Sequence, residues 1–282
     1  MDELSETGAR FERLFAADDN SAIEDFHERT KWTPVLERTL AQRLQLFLHS
    51  PQLRRVIAGT RKRMPLLARL ALPAAGLNGI GLQQAIEARR SLFNQAPARG
   101  PRLGLEDLAA ILRFSYGVTG TMGGGGQGGP DTPLQPLRAT ASAGALYPLE
   151  IYVVAFDVDG LAPGLYHYDA TGHALGQLRR EDMRSAFPPN ELQPDLMARA
   201  NAVLVVSAVM MRTVAKYRER GYRFVMNDCG ALIQSLYLTA AARGVAACAW
   251  GGFCDDRLAD FLALDNRSEV VCMGFVLGAH LA

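Results

Sequence analysis

The stretch 138-RATASAGALYPLEIYVV-154 changes character at Pro148. Before the proline stand the small residues Ala141, Ser142, Ala143 and Gly144, which by themselves read as a turn. After it, 149-LEIYVVAFDV-158 is a continuous run of β-branched, aromatic and aliphatic residues of strand length. A tight turn feeding an apolar strand is the unit from which the rest of the chain is read.

Downstream, 165-LYHYDATGHALGQL-178 alternates about a short Ala-Thr-Gly turn and reads as a hairpin, while 202-AVLVVSAVM-210 and 269-EVVCMGFVLG-278 read as further apolar strands. Helical spacing marks other parts. After Pro34, the residues Val35, Leu36, Leu40, Leu44 and Phe47 recur every three or four positions until Pro51 breaks the pattern. Between positions 64 and 81 Leu, Ala, Pro and Gly predominate, which predicts loosely organised helices or an irregular connector ending near Leu82. Helical periodicity returns in 82-LQQAIEARRSLF-93 and in 104-GLEDLAAILRFSYG-117, with Gly117 placed to end the second. The stretch 222-YRFVMNDCGALIQSLYLTAAARG-244 is a long helix, apolar over much of its circumference and stopped by Gly244, so it belongs in a core or a subunit interface. Helices and strands mix without strict alternation, which predicts an α+β fold. The expected division is an N-terminal helical or irregular extension over 1–81, available to a partner or peptide, and one domain over 82–282.

The totals narrow the classes of function. The 282 residues are 49% apolar and 21% charged, ordinary for a packed protein. No apolar run reaches 18 residues and the first residues lack a signal-peptide pattern, so the expectation is a cytoplasmic protein with no membrane contact. Cys229, Cys248, Cys254 and Cys272 form no Cys-x-x-Cys pair, so neither a zinc ribbon nor a disulfide framework is indicated, and no metal is expected. Residues 1–30 hold nine acids and three arginines, whereas 38–86 hold eight basic residues and no acid. These blocks either neutralise one another or bind something acidic. The basic block has Phe47 as its one aromatic residue, which argues against nucleic acid.

The glycine-rich run 121-TMGGGGQGGP-130 is not a phosphate cradle. A Walker-type loop needs lysine and a hydroxyl directly after its last glycine, and here Pro130 and Asp131 follow. A dinucleotide fingerprint needs a strand before and a helix after, and this run follows a helix and leads to Pro133 and Pro136. It is a linker, or a mobile lid beside a site.

Five motifs in one order carry a resemblance: 138-RATASAGALYPLEIYVV-154, 164-GLYHYDATGHAL-175, 215-AKYRERGYRF-224, 234-QSLYLTAAARGV-245 and 251-GGFCDD-256. Together they resemble the SagB/McbC-type dehydrogenases of the nitroreductase superfamily over residues 82–278, and 26-FHERTK-31 is similar to that family's N-terminal text. The resemblance implies a mostly antiparallel central sheet flanked by helices, with a long buried helix at the interface of a homodimer and FMN bound there. It implies that Arg89, Arg90 and Ser91 contact the phosphate, ribityl and pyrimidine parts of the flavin, a role suited to guanidinium forks and a hydroxyl. It also implies that Ser142, Ala143 and Gly144 approach the isoalloxazine and that Gly251 and Gly252 turn beside it. Where the family's Arg-Arg-Ser-x-Arg has its last arginine this chain has Phe93, and Arg138 is the expected substitute.

The resemblance further implies oxidation of thiazoline or oxazoline rings to azoles in a peptide or carrier-bound substrate, beside a cyclodehydratase partner. Hydride passes to flavin N5 and a base takes the Cα proton. Lys216 and Tyr217 are the implied catalytic pair. Lys216 stands out independently, because of thirty basic residues only Lys31, Lys62 and Lys216 are lysine. Free lysine, with a pKa of ~10.4, is a poor base at neutral pH, so burial or a cation such as Arg218 or Arg220 is expected beside it. Neighbouring residues diverge by roughly 100° on a helix, so an irregular backbone is expected where both face one substrate. An NAD(P)H-dependent nitro- or quinone reductase and a non-catalytic scaffold are the competing readings.

Overall fold

The computed structural model describes residues 21–50, 52, 62, 64, 66–77, 79–91, 101–122, 135–188 and 194–281. Seven strands form one sheet in the order β1 (Arg69–Ala71), β6 (Ala174–Arg179), β5 (Gly164–Asp169), β4 (Leu149–Ala155), β7 (Ala202–Val209), β9 (Glu269–His280), β8 (Val245–Trp250). Every pairing in it is antiparallel. The small strands β2 (Val118–Met122) and β3 (Gln135–Arg138) pair separately. The glycine run from Gly123 joins those two strands and lies outside the described residues.

β4 explains the layering. All seven of its residues are buried. Strand residues alternate between faces, so Leu149, Ile151, Val153 and Ala155 join one apolar cluster while Tyr152 and Val154 join another. The first cluster is closed by two helices, α4 (Leu105–Tyr116) through Leu108, Ile111 and Leu112, and α7 (Arg220–Arg243) through Val225, Leu232 and Leu236. The second is closed by Leu258 and Leu262 of α8 (Asp255–Leu262) together with Trp250 and Phe187. Two cores on opposite faces of one sheet give the α+β architecture.

The remaining α-helices among the described residues are α1 (Ser21–Arg29), α2 (Pro34–His49), α3 (Leu82–Ala88), α5 (Pro194–Ala198) and α6 (Met211–Tyr217). α2 begins as its sequence requires, with Thr33 accepting the Leu36 N–H and Pro34 in the first turn. α3 is shorter than its periodicity predicts. It stops at Ala88 because Arg90 turns back and donates to the carbonyls of Glu87 and Arg89, leaving the 89–91 triplet in coil. The connector expected between 64 and 81 holds β1, which pairs in register with β6 through Arg69↔Gly176 and Ala71↔Ala174. No helix among the described residues is long and apolar enough to cross a membrane.

α1 and α2 rest on the start of α7 and on α6. Thr30 is buried, its carbonyl accepting from Arg220 and its hydroxyl from Arg223, and Arg43 of α2 donates to the carbonyl of Ala215. The text 26-FHERTK-31 thus bears on the junction that precedes the long helix.

Candidate active site

The turn before β4 is held from below by α7. Asp228 accepts from the Ser142 hydroxyl at 2.5 Å and from the Ala143 N–H at 3.2 Å, while Ser142 Oγ in turn accepts from the Tyr147 N–H at 2.9 Å. Burial pushes the Asp228 carboxyl above its ordinary value, and the bonds from Ser142 and Ala143 pull against that shift. These contacts fold the chain back on itself, with Gly144, Ala145 and Tyr147 all at positive φ. Two non-glycine residues in the left-handed region are a stored strain, which the surrounding bonds oppose.

Lys216 and Tyr217 end α6, and both reach the same point of this turn. A Cβ built on Gly144 would stand 2.6 Å from Lys216 Nζ and 2.7 Å from Tyr217 Oη. The expectation of an irregular backbone at the pair is corrected: both residues lie within the last turn of a helix. They converge because a glycine backbone passes beneath both tips. The irregularity comes one residue later, where Arg218 takes φ 53° and the chain turns into α7. The cations expected beside Lys216 are engaged elsewhere, Arg218 with Glu219 and Arg220 with the Thr30 carbonyl.

The third group gathers at the far half of α7. Ser91 Oγ lies 2.8 Å from Tyr237 Oη, and the Arg89 guanidinium stands 5.4 Å from the Tyr237 ring centre. Tyr237 also accepts the Ala249 N–H at 2.7 Å, which ties the triplet to the end of β8, where Gly251 and Gly252 follow Trp250. Both glycines are exposed, and the Gly252 carbonyl accepts from the Trp250 indole. Arg90 is turned back on α3 and takes no part. Asp228 and Tyr237 are nine residues apart on one helix, about 14 Å along its axis. Between them Gly230, Ala231 and Gln234 are exposed, two of them small.

Arg138 does not join Arg89 and Ser91. Its guanidinium packs 4.2 Å from the Tyr116 ring centre and 5.3 Å from that of Tyr147, and it lines a cavity of about 350 Å³ with Glu150, His167 and Tyr168. Behind it lies a buried polar assembly that the sequence did not announce. Glu150 meets Arg212 at 2.6 Å and His167 at 2.8 Å. Burial alone would raise the Glu150 carboxyl, but the His167 hydrogen bond and the Arg212 charge hold it down at about 2. Glu269 accepts from Tyr152, Ser207 and Lys62. Glu150 and Arg212 were missed because each is one charged letter in an apolar stretch, and Asp228 and Tyr237 because a helix of mixed residues does not show which of its polar groups face inward. The signal available was that a polar residue inside such a run must be paired.

The turn, the Lys–Tyr pair and the Arg–Ser group, arrayed along one helix of an antiparallel sheet protein, define a class before they define a substrate. The family model described as the nitroreductase family matches residues 99–279, and the chain belongs to that family. A nitroreductase-family protein of Methanocaldococcus jannaschii is 31% identical over 185 residues, 66% of this chain and 85% of its own. The microcin B17-processing protein McbC of Escherichia coli is 27% identical over 144 residues, 49% of this chain and 53% of its own, so the match spans about half of that relative. A nitroreductase crystal structure from Anabaena variabilis has a TM-score of 0.63 at 24% identity, covering 90% of this chain and 45% of that longer one. A chain of the E. coli microcin synthetase McbBCD complex, with truncated pro-MccB17 bound, has a TM-score of 0.55 at 17% identity, covering 90% and 96%. These structural likenesses show the fold.

Proposed function

We propose that the chain is an FMN-dependent dehydrogenase that converts azoline rings of a peptide or carrier-bound substrate to azoles. The observation that carries the reading is the convergence of Lys216 Nζ and Tyr217 Oη on Gly144. Aromatising an azoline requires a base at the ring's Cα, whose proton is acidified by its neighbours, and an amine and a phenol at one point supply a base and an orienting donor. Lys216 takes the proton and Tyr217 holds the ring. FMN, when bound, supplies the two-electron acceptor.

The donor set fits that cofactor. Arg89 and Ser91 offer a cation and a hydroxyl suited to a phosphate, and the backbone at Gly144 is exposed, with the Lys216 and Tyr217 tips drawn up against it on its Cβ side. Gly251 and Gly252 lie with the first group and Ser142 and Ala143 with the second. A homodimer is part of the proposal: Gly230 and Ala231, small and exposed on α7 between the two groups, suit close packing by a second copy. A cyclodehydratase is the expected partner, since it makes the ring this enzyme would oxidise, and contact with that partner or with peptide is proposed for the extension over 1–81, of which β1 belongs to the central sheet. A cytoplasmic setting is proposed with it.

An NAD(P)H-dependent nitro- or quinone reductase is the second reading, and the comparisons weigh toward it. The family match and the 31% identical relative both bear the nitroreductase name, at higher identity and coverage than McbC. The Lys216–Tyr217 convergence is what favours the dehydrogenase. Anaerobic addition of NAD(P)H separates the two. Rapid bleaching of bound flavin by NAD(P)H, with none by an azoline peptide, would establish the reductase; the reverse supports the dehydrogenase. Purified protein that is colourless and takes up no FMN would leave only a non-catalytic scaffold. In the dehydrogenase, Lys216→Ala retains the flavin spectrum and loses turnover.

A further inference from the structure

Arg212 and Lys216 lie four residues apart on α6 and therefore on one face of it. Arg212 is buried, at 4% exposure, and its Nη1 meets Glu150 Oε1 at 2.6 Å and the Tyr147 carbonyl at 3.2 Å. One turn later Lys216 Nζ stands over Gly144. The helix thus lies along the strained turn, gripping its Tyr147 end and presenting the amine to its Gly144 end. Glu150 is itself fixed from the other side by His167 at 2.8 Å. Arg43 of α2 adds a hold on the outer side of α6, through the Ala215 carbonyl next to Lys216.

We propose that Arg212, seated on Glu150, is a positioning residue that sets where Lys216 Nζ stands above the Gly144 backbone. This rests on the reading of Lys216 as the base. The need for such a device follows from the side chain: a lysine carries a flexible four-carbon stem, and a helix of seven residues is too short to hold its own orientation without tertiary contacts. A planar guanidinium that binds a carboxylate and a carbonyl together fixes both the rotation and the slide of α6. An ordinary buried ion pair would stabilise the fold without regard to where the amine points; this one joins the two segments whose separation defines the site.

The test uses two variants of the flavin-loaded enzyme, Arg212→Gln and Glu150→Gln, which change the local charge in opposite directions. A through-space charge effect would displace the pH–rate profile oppositely in the two. Positioning lowers kcat in both by about 10²-fold, the scale of a 1 Å misplacement, with KM changed less than about threefold and flavin absorbance retained. A second readout needs no turnover. Because the chain has three lysines, ¹³C reductive methylation gives three dimethyl-lysine signals, assigned by Lys→Arg substitution. In both variants the Lys216 signal shifts or broadens while that of Lys31 stays. Unchanged Lys216 signals, or kcat within about threefold of wild type in both variants, would overturn the proposal. So would failure of both variants to yield folded flavoprotein, which would make the pair purely structural. If Arg212→Gln alone fails to fold, Glu150→Gln decides. Undiminished turnover in Lys216→Ala would sink the base assignment instead, and the methyl signals would still report whether Arg212 places the amine.

Discussion

Gly144→Ala is a substitution whose costs to stability and to turnover should separate widely. The residue has φ +63°, where an L side chain costs roughly 1–2 kcal/mol. Ala145 and Tyr147 already bear that conformation at φ 52° and 47°, so the turn tolerates it. The new methyl group would meet Lys216 Nζ at 2.6 Å and Tyr217 Oη at 2.7 Å, with Lys216 Cε at 3.6 Å. Ordinary contact needs about 3.5–4.0 Å, so both tips must retreat by roughly an ångström. The ends of two long side chains can do so at little energetic cost, and the thermal midpoint should fall by only about 2–8 °C. The same retreat removes the amine from its place, and kcat should fall about 10²-fold. The assay is thermal unfolding of the flavin-loaded protein beside steady-state oxidation of an azoline peptide. Full turnover in a folded Gly144→Ala enzyme would refute the claim that chemistry occurs where Lys216 and Tyr217 meet.

Three further outcomes are expected. Ser142→Ala removes a donor from the partly buried Asp228 and should cost about 1–3 kcal/mol; because Asp228's pKa is raised by burial, its contribution is present at acid pH and lost as pH rises through the folded value, so denaturant titrations should show a deficit that widens with pH. Glu150 behaves oppositely: with its pKa lowered to about 2, its stabilisation of about 3 kcal/mol is present above the ordinary carboxylate range and disappears as pH falls toward 2, and Glu150→Gln should flatten that acid limb in urea unfolding. Tyr237→Phe deletes the hydroxyl shared by Ser91 and the Ala249 N–H, and should weaken FMN retention measured by fluorescence titration while leaving kcat of the loaded enzyme within about twofold.

The strands were legible because they are apolar runs: 149–158, 202–210 and 269–278 correspond to β4, β7 and β9, and the alternating 165–178 stretch to the β5–β6 hairpin. Gly244 ends α7 as expected, in the left-handed conformation at φ 70°. Gly117 ends α4 for another reason. Its φ is −66°, and a Cβ there would stand 2.5 Å from the Arg113 carbonyl, so space rather than handedness demands glycine. β1 was illegible because three exposed residues at a sheet edge carry no hydrophobic pattern. α1 is illegible within an acidic segment, and its C-terminal end is met by Arg220 and Arg223 from far along the chain, at Thr30 and His27. At the site, the Lys–Tyr and Ser-Ala-Gly texts were visible as motifs, whereas their meeting across about seventy residues is a product of topology. Arg138 shows the limit of substitution by residue type: it has the right charge, but two tyrosine faces claim it.

β9 follows β7 and β8 in the chain yet runs between them, paired with β7 along most of its length and with β8 through its second half. The sheet therefore cannot zip up in the order in which the polypeptide emerges. Until this twelve-residue strand is synthesised and slides into place, β8 has no strand to pair with among those described, and the sheet keeps an open edge at β7. Closure of the sheet is therefore a late, long-range event that joins the last strand to two earlier ones.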